Sequence, residues 1–405
     1  MRNQNSLEKS YIVLYVYWFA LLLWQNIRSV GNRGGVDTLI KAGLIMLLVF
    51  YFCFNVQRLK IDALVASVLL AASAVVTLVS SSGITFSLLL YYLYPVFLYF
   101  IIYAVGWNAQ INKKQLVSFL NWVVIMVAYI VVYALVFCRD QFSAAFSIST
   151  AYGNELSSFL FSNHEYGMYL AYGIMAIFLC MELSESIPIW RKVLYLIGIV
   201  TFAVNLVLTF SRTSIIAFGA MLTIYMVYYA NKSTRRVLAL TIIAGSIVIV
   251  FVPQLRDFIT NIVFKDGANS GRDELAQTGL FLYKESTLFQ KILGNADFSA
   301  TVAQITIHSN LHNGYIQTLL SNGVKGMIFL VSVVVTELRN NNSLKKLDEQ
   351  NLCKMFNGFL IASGVYMLTT TITLFYSSID SYFLTMFAII IPKYVRNAIN
   401  AGTFE

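Results

Sequence analysis

Only three histidines occur in the chain, and two of them, His308 and His312, stand four residues apart in "TIHSNLHNGYIQTLLSNGVKG" (306–326), where a polar stretch meets an apolar one. A neutral imidazole can take a proton from a hydroxyl near neutral pH, so either could be a general base. If a helix starts early, this spacing puts both on one face. Equally, the pair could cap that helix, helped by Asn313. Zinc binding fits less well, because two histidines lack a third ligand at a recognisable spacing. The third, His164, opens another apolar stretch in "SNHEYG" with Glu165 beside it. Arg212, in "FSRTS" (210–214), lies between two apolar stretches with almost no loop between them. It reads either as a snorkelling interfacial arginine or as an anion clamp, since a guanidinium can hold a phosphate through two parallel hydrogen bonds. "SGRDE" (270–274) places Arg272 next to two acids, where a locally paired loop arginine is the commonest outcome.

The elements that must position these groups are membrane helices. The 405 residues are 58% hydrophobic and 12% charged, against about 25% charged in a soluble domain. Apolar stretches near twenty residues recur throughout, each long enough to cross a hydrocarbon core of roughly 30 Å. The expectation is an all-α polytopic membrane protein, a single integral membrane domain over 1–405. Twelve spans are predicted, at about 11–28, 39–57, 63–80, 85–105, 116–138, 164–182, 191–210, 213–230, 236–254, 312–336, 355–376 and 380–394. The first lacks a small-residue cleavage pattern and reads as a retained span. The four cysteines form no CxxC or metal spacing.

With the N-terminus inside, the cytoplasmic segments carry Arg2/Lys9, Arg58/Lys60, Lys113/Lys114, Arg191/Lys192, Lys232/Arg235/Arg236, Arg339/Lys345/Lys346/Lys354 and Lys393/Arg396, as the positive-inside rule requires. Arg28, Arg33 and Lys41 contradict it. Both termini are therefore expected inside, and the net charge of +9 reads as basic edges facing anionic lipid, not as a nucleic-acid surface. Two segments are left outside, 139–163 and the long 255–311. All three histidines then face the same outer side. The span interiors hold essentially no Asp or Glu, whereas proton-coupled carriers commonly need an embedded carboxylate. Lys325 is the exceptional cation, about 13 residues past His312, or on the order of 20 Å along a continuous helix. Either it lines a polar cavity, or the helix breaks at Asn322–Gly323 and the span begins there.

A span ending in "LTFSRTSIIAF", a loop containing "SGRDE…FQKILGNADF", and then "HNGYIQTLLSNGVKGMIFL" together resemble the O-antigen ligase/polymerase superfamily, which includes Wzy-type polymerases and WaaL-type ligases. His312, Asn313, Tyr315, Ile316, Gln317, Leu319, Gly323 and Gly326 match its pattern entering a span; "ILGNADF" keeps one glycine of a loop turn and loses the preceding proline and the second glycine. The resemblance implies a metal-independent, inverting membrane glycosyltransferase of the GT-C type, needing no cofactor and using a polyprenyl-diphosphate-linked oligosaccharide. It selects His312 over His308 as base and gives Arg212 and Arg272 the diphosphate charge. His308, Asn313, Arg139, His164, Glu165 and Arg256 become substrate-binding candidates. It also implies the bacterial cytoplasmic membrane with an extracytoplasmic active site, and a chain-length regulator and a flippase as partners. A polysaccharide polymerase is the first reading and a ligase moving finished glycan the second. A lipid-linked oligosaccharide transporter or flippase is a rival of another class, and a scaffold a fourth, weaker reading.

Overall fold

A regular helix over Gly314–Asn342, 29 residues, would measure roughly 44 Å, half as long again as a hydrocarbon core. It is not regular. Gly323 sits at φ 64°, ψ −167° and divides it into residues 314–322 and 324–342. The second piece, about 28 Å long, matches the thickness of a bilayer core.

The computed structural model describes residues 59–146, 155–160, 162–251, 272–305, 311–344, 347–376 and 378–404, with isolated helical positions between 16 and 46 and at 256 and 260. Every regular element among them is helical: α1 (Ile61–Val79), α2 (Phe86–Val105), α3 (Lys113–Phe137), α4 (Arg139–Phe146), α5 (Asn163–Leu183), α6 (Ile189–Leu208), α7 (Arg212–Tyr228), α8 (Lys232–Phe251), α9 (Arg272–Glu285), α10 (Leu288–Leu293), α11 (Phe298–Ile305), α12 (Gly314–Asn342), α13 (Leu347–Thr369), α14 (Ile379–Thr385) and α15 (Ile391–Ala401). A π-helical turn, Met386–Ile390, joins the last two. Seven described helices are long and apolar enough to cross a membrane, and α7 is a shorter apolar one. The chain is a polytopic membrane protein. Ten predicted spans overlap helices, seven of them to within four residues at each end, while 312–336 and 380–394 end six and seven residues short and 355–376 is shifted seven or eight residues from α13; 11–28 and 39–57 lie outside the described residues but for isolated positions. The long segment 255–311 contains α9, α10 and α11.

The described residues form two compact units: 1–113, 272–344 and 366–405; and 114–271 with 345–365. In the first, α14, the π turn and α15 form the central helix, with every residue from Ile379 to Arg396 buried. Trp18 is buried against Phe383, ring centroids 5.0 Å apart. Hydroxyls within α1 are satisfied along the helix, as a bilayer demands: Ser67 donates to the Ala63 carbonyl at 2.7 Å and Ser73 to that of Leu70 at 2.8 Å. In the second unit α5 is central, with fifteen buried residues, among them Tyr166, Tyr169 and Tyr172. An added Cβ at Gly173 would lie 3.0 Å from Val127 and 3.2 Å from Phe202, so a small residue there lets neighbouring helices approach.

Two cations and a carboxylate correct the sequence reading. Lys393 and Arg396, taken as loop charges, are buried in α15 at 7% and 6% exposure. The π turn Phe100–Val105 at the end of α2 explains how. There the Gly106 N–H reaches back to the Ile101 carbonyl at 2.8 Å, which leaves the Ile102 carbonyl to accept from Lys393 Nζ at 2.8 Å. Arg396 donates from Nη2 to Glu337 at 2.9 Å and from Nη1 to Asn341 at 2.7 Å, and the Tyr103 hydroxyl donates to the other Glu337 oxygen at 2.8 Å. Glu337 is thus a fully buried carboxylate inside α12, one residue beyond the predicted end of that span. Its charge is paired, so it is an interior tie and not a proton relay. Removing one partner leaves an uncompensated buried charge. Glu337→Ala is therefore expected to cost about 3–5 kcal/mol, while Glu337→Met with Arg396→Met recovers most of it. Thermal unfolding of the purified protein in detergent measures both.

Candidate functional site

His312 stands at the entrance of α12, which begins later than a shared face for two histidines would need. The N-cap is Asn313, whose Oδ1 accepts the Ile316 N–H at 3.0 Å and whose carbonyl accepts that of Gln317 at 2.9 Å. The capping alternative therefore holds for Asn313. His312 precedes the cap with φ 48°, a left-handed conformation uncommon outside glycine though tolerated by histidine. Such conformations persist where the surroundings fix them and cluster at functional sites. Here the fixing is visible: Leu311 is fully buried among Phe298, Val302 and Leu320, and Asn313 is committed to the helix. His308 lies outside the described residues.

Arg272 is the first residue of α9 and is half-buried, with Asp273 and Glu274 exposed beside it. The helix packs through Gly279, where an added Cβ would lie 2.6 Å from both Leu311 and Ile316. α9 therefore rests on Leu311, next to His312, and on Ile316, whose N–H Asn313 caps. A capping box holds α10, with Thr287 accepting from Gln290 N and the Gln290 side chain accepting from Thr287 N. The chain then meets the break in α12. Gly294, at φ 98°, has no room for a Cβ against the Ser321 carbonyl, and Gly323 has none against the Ile292 carbonyl. Asn295 N–H donates to the Leu320 carbonyl at 2.8 Å and Thr77 Oγ1 to that of Leu293 at 2.9 Å. The one glycine that "ILGNADF" retains is thus the one at this backbone-to-backbone contact.

In the second unit, "SNHEYG" and "TFSRTS" interlock. Ser211, fully buried, caps α7 by accepting from Ser214 N at 3.3 Å. Its hydroxyl lies 2.8 Å from Nδ1 of His164 and 2.8 Å from that of Ser214, which in turn donates to the His164 carbonyl at 3.3 Å. Asn163 Nδ2 donates to the Thr209 carbonyl at 2.9 Å. Gly167 makes this possible, because a Cβ there would collide with the Ser214 hydroxyl. Arg212 is half-buried as the first residue of α7, where the helix terminus reinforces its positive charge. Position and charge together suit an anion. His164 holds the residue that precedes Arg212; Glu165, half-buried, lies in the first turn of α5, which Ser162 caps.

Arg139 and Arg256 are exposed; Arg139 begins α4, where Gln141 accepts from Ser157 N at 3.2 Å. Among the described residues no group of three or more His, Cys, Asp or Glu side chains comes together. Lys325 follows a helix break at Gly323, one of its two sequence alternatives, and lines a cavity whose wall is mainly apolar with a few polar groups. Tyr91, Tyr92 and Gln317 share that cavity. Sequence reasoning missed the tyrosines, whose abundance reads as lipid-facing; Gln317 carried a signal through its place in "HNGYIQ".

A polytopic helical membrane protein with a strained histidine at one helix entrance and arginines at two others is the class defined here. Residues 197–331 match the family model for O-antigen ligase, which places that segment in the O-antigen ligase/polymerase superfamily. Members of the family are membrane glycosyltransferase-like enzymes, polymerases or ligases. A search of curated proteins found no match.

The glycine contacts are testable apart from chemistry. Gly323→Ala places a side chain in a left-handed conformation against backbone atoms that cannot yield, and is expected to lower stability by about 1–3 kcal/mol. Gly167→Ala meets the movable Ser214 hydroxyl and is expected to cost less. Thermal unfolding of the two variants side by side gives the order.

Proposed function

We propose that the protein is a bacterial polysaccharide polymerase of the GT-C type. It transfers a growing glycan from polyprenyl diphosphate to the terminal sugar hydroxyl of a lipid-linked repeat unit, on the extracytoplasmic face of the cytoplasmic membrane. The acceptor oxygen forms a bond to the anomeric carbon from the face opposite the leaving group, and the anomeric carbon–oxygen bond to the diphosphate breaks with inversion. His312 takes the hydroxyl proton. Arg212 and Arg272 absorb the charge that develops on the diphosphate; no metal is required. Asn313, His308, His164, Glu165, Arg139 and Arg256 contribute to substrate binding. A flippase supplies the repeat units and a chain-length regulator sets when extension stops.

The observation that carries this reading is the matched segment itself. It contains Arg212, Arg272 and His312, each beside the first turn of a helix. His312 is moreover in a conformation that needs tertiary support. The same observations suit a ligase that moves finished glycan to another acceptor.

Purified protein in nanodiscs, given polyprenyl-diphosphate repeat units and no nucleotide sugar, is expected to produce a ladder of glycans still on the lipid, unaffected by EDTA. Product on a different acceptor would mark a ligase. Movement of substrate across the bilayer without new linkages would mark a transporter. His312→Ala is expected to slow transfer by about 10²–10⁴, and Arg212→Ala by about 10²–10³, with Arg212→Lys recovering part. Full activity in His312→Ala overturns the assignment of the base.

A further inference from the structure

Within the first unit, α1, α2, α12 and residues 373–376 enclose a cavity of about 80 Å³. At 10–15 Å³ for each water-sized group, it holds on the order of five to eight. It begins one helical turn from the cap Asn313, since Gln317 is the residue whose N–H bonds the Asn313 carbonyl. It continues past the break at Gly323 to Lys325.

Three features of its wall ask for a partner. Lys325 Nζ donates to the Ser73 carbonyl at 3.0 Å and to Thr77 Oγ1 at 3.1 Å. Those use two of its three protons. No carboxylate lines the cavity among the described residues, although a cation at membrane depth normally finds a counter-charge. Gln317 is 5% exposed; its side chain hydrogen-bonds with that of Tyr91, and its Oε1 has no partner among the described residues, a cost unless a donor arrives. Tyr91 stands edge-on to Tyr92 at 5.0 Å and to Tyr376 at 4.9 Å. Tyr92 is anchored by donating to the Ser321 carbonyl at 2.7 Å. The wall thus offers a cation for an anionic oxygen, an amide oxygen for a hydroxyl, and aromatic surface beside them.

We propose that this cavity is a subsite that takes the anionic substituent of a glycan, such as the carboxylate of a hexuronate, with Lys325 the specificity-determining residue. The proposal rests on the glycosyltransferase reading for the arrival of a glycan at this wall. The Lys325 N–H binds the carboxylate or phosphoryl oxygen, Gln317 Oε1 accepts a neighbouring hydroxyl, and the tyrosines line the remaining wall. The anionic oxygen has one competing source, the phosphate of the lipid carrier.

The test is a binding measurement, so it does not depend on transfer activity. Full-length protein in nanodiscs is titrated, by saturation-transfer NMR, with 4-nitrophenyl glucuronide and galacturonide, with the matching glucoside and galactoside, and with a short-chain polyprenyl phosphate. The expected result is that one uronide binds at least fivefold more tightly than its neutral counterpart. Lys325→Met and Lys325→Gln should bring that ratio to about one while neutral-glycoside binding persists, which also shows that the variants are folded; Lys325→Arg should keep the preference. Gln317→Leu should weaken both. Equal binding of charged and neutral probes, no binding of any glycoside, or a preference that survives Lys325→Met overturns the proposal. Lys325-dependent binding of the polyprenyl phosphate alone overturns it in favour of a lipid phosphate site. Each of these leaves the polymerase assignment standing, because that assignment fails on the absence of any lengthened or transferred glycan.

Discussion

The first unit depends on two stretches of bare backbone meeting, at Gly294 and at Gly323. Neither position has room for a Cβ, and both take left-handed conformations that glycine adopts without strain. The contact does two things. It stops α12 from being one overlong helix, which leaves a membrane-length piece after the break. It also pins the segment after α10 against the piece before the break, through Asn295 and the Leu320 carbonyl. Cap, strained histidine and the amide wall of the cavity all sit on that pinned piece. A side chain at either glycine would move them together.

The second unit solves a similar problem with hydroxyls. Two helix entrances, at Asn163 and Arg212, meet where Gly167 leaves space, and Ser211, Ser214 and His164 close the gap. Buried polar groups of this kind are stable when all their bonds are made. The arginine is therefore presented from a fixed helix end, which reduces what must be ordered when an anion binds.

Much of this was legible in the sequence, for physical reasons. Apolar stretches of about twenty residues fix where spans lie, because a bilayer leaves the backbone few alternatives. "HNGYIQ" announced a helix start through its asparagine, and the start is there. The possibility of a break at Asn322–Gly323 could be read from the depth Lys325 would otherwise have. Long-range pairing was not legible. Lys393 and Ile102 are 291 positions apart, and their bond requires a π turn that no periodicity in "FIIYAV" discloses. Arg396 looked like an edge charge because it lies at the end of its apolar stretch, and Glu337 fell just past a predicted span; burial became evident with the central helix around them. The cavity tyrosines carried no local signal, since most tyrosines in such a chain face lipid or the interface.

The burial of Lys393 and Arg396 has a consequence for how the chain is made. In the finished protein these cations are sealed against carbonyls and a carboxylate, out of reach of lipid headgroups. The chain emerging from the ribosome has no such partners, and there the two charges resist being carried across the bilayer. With the end of the last segment on the cytoplasmic side, as the distribution of cations in the sequence predicts, they would act first as a retention signal for it and only later, once α2 and α12 have gathered around it, as interior ties. The order matters: a variant that removes the charges would disturb insertion before it could disturb packing, although the finished structure displays only the second role.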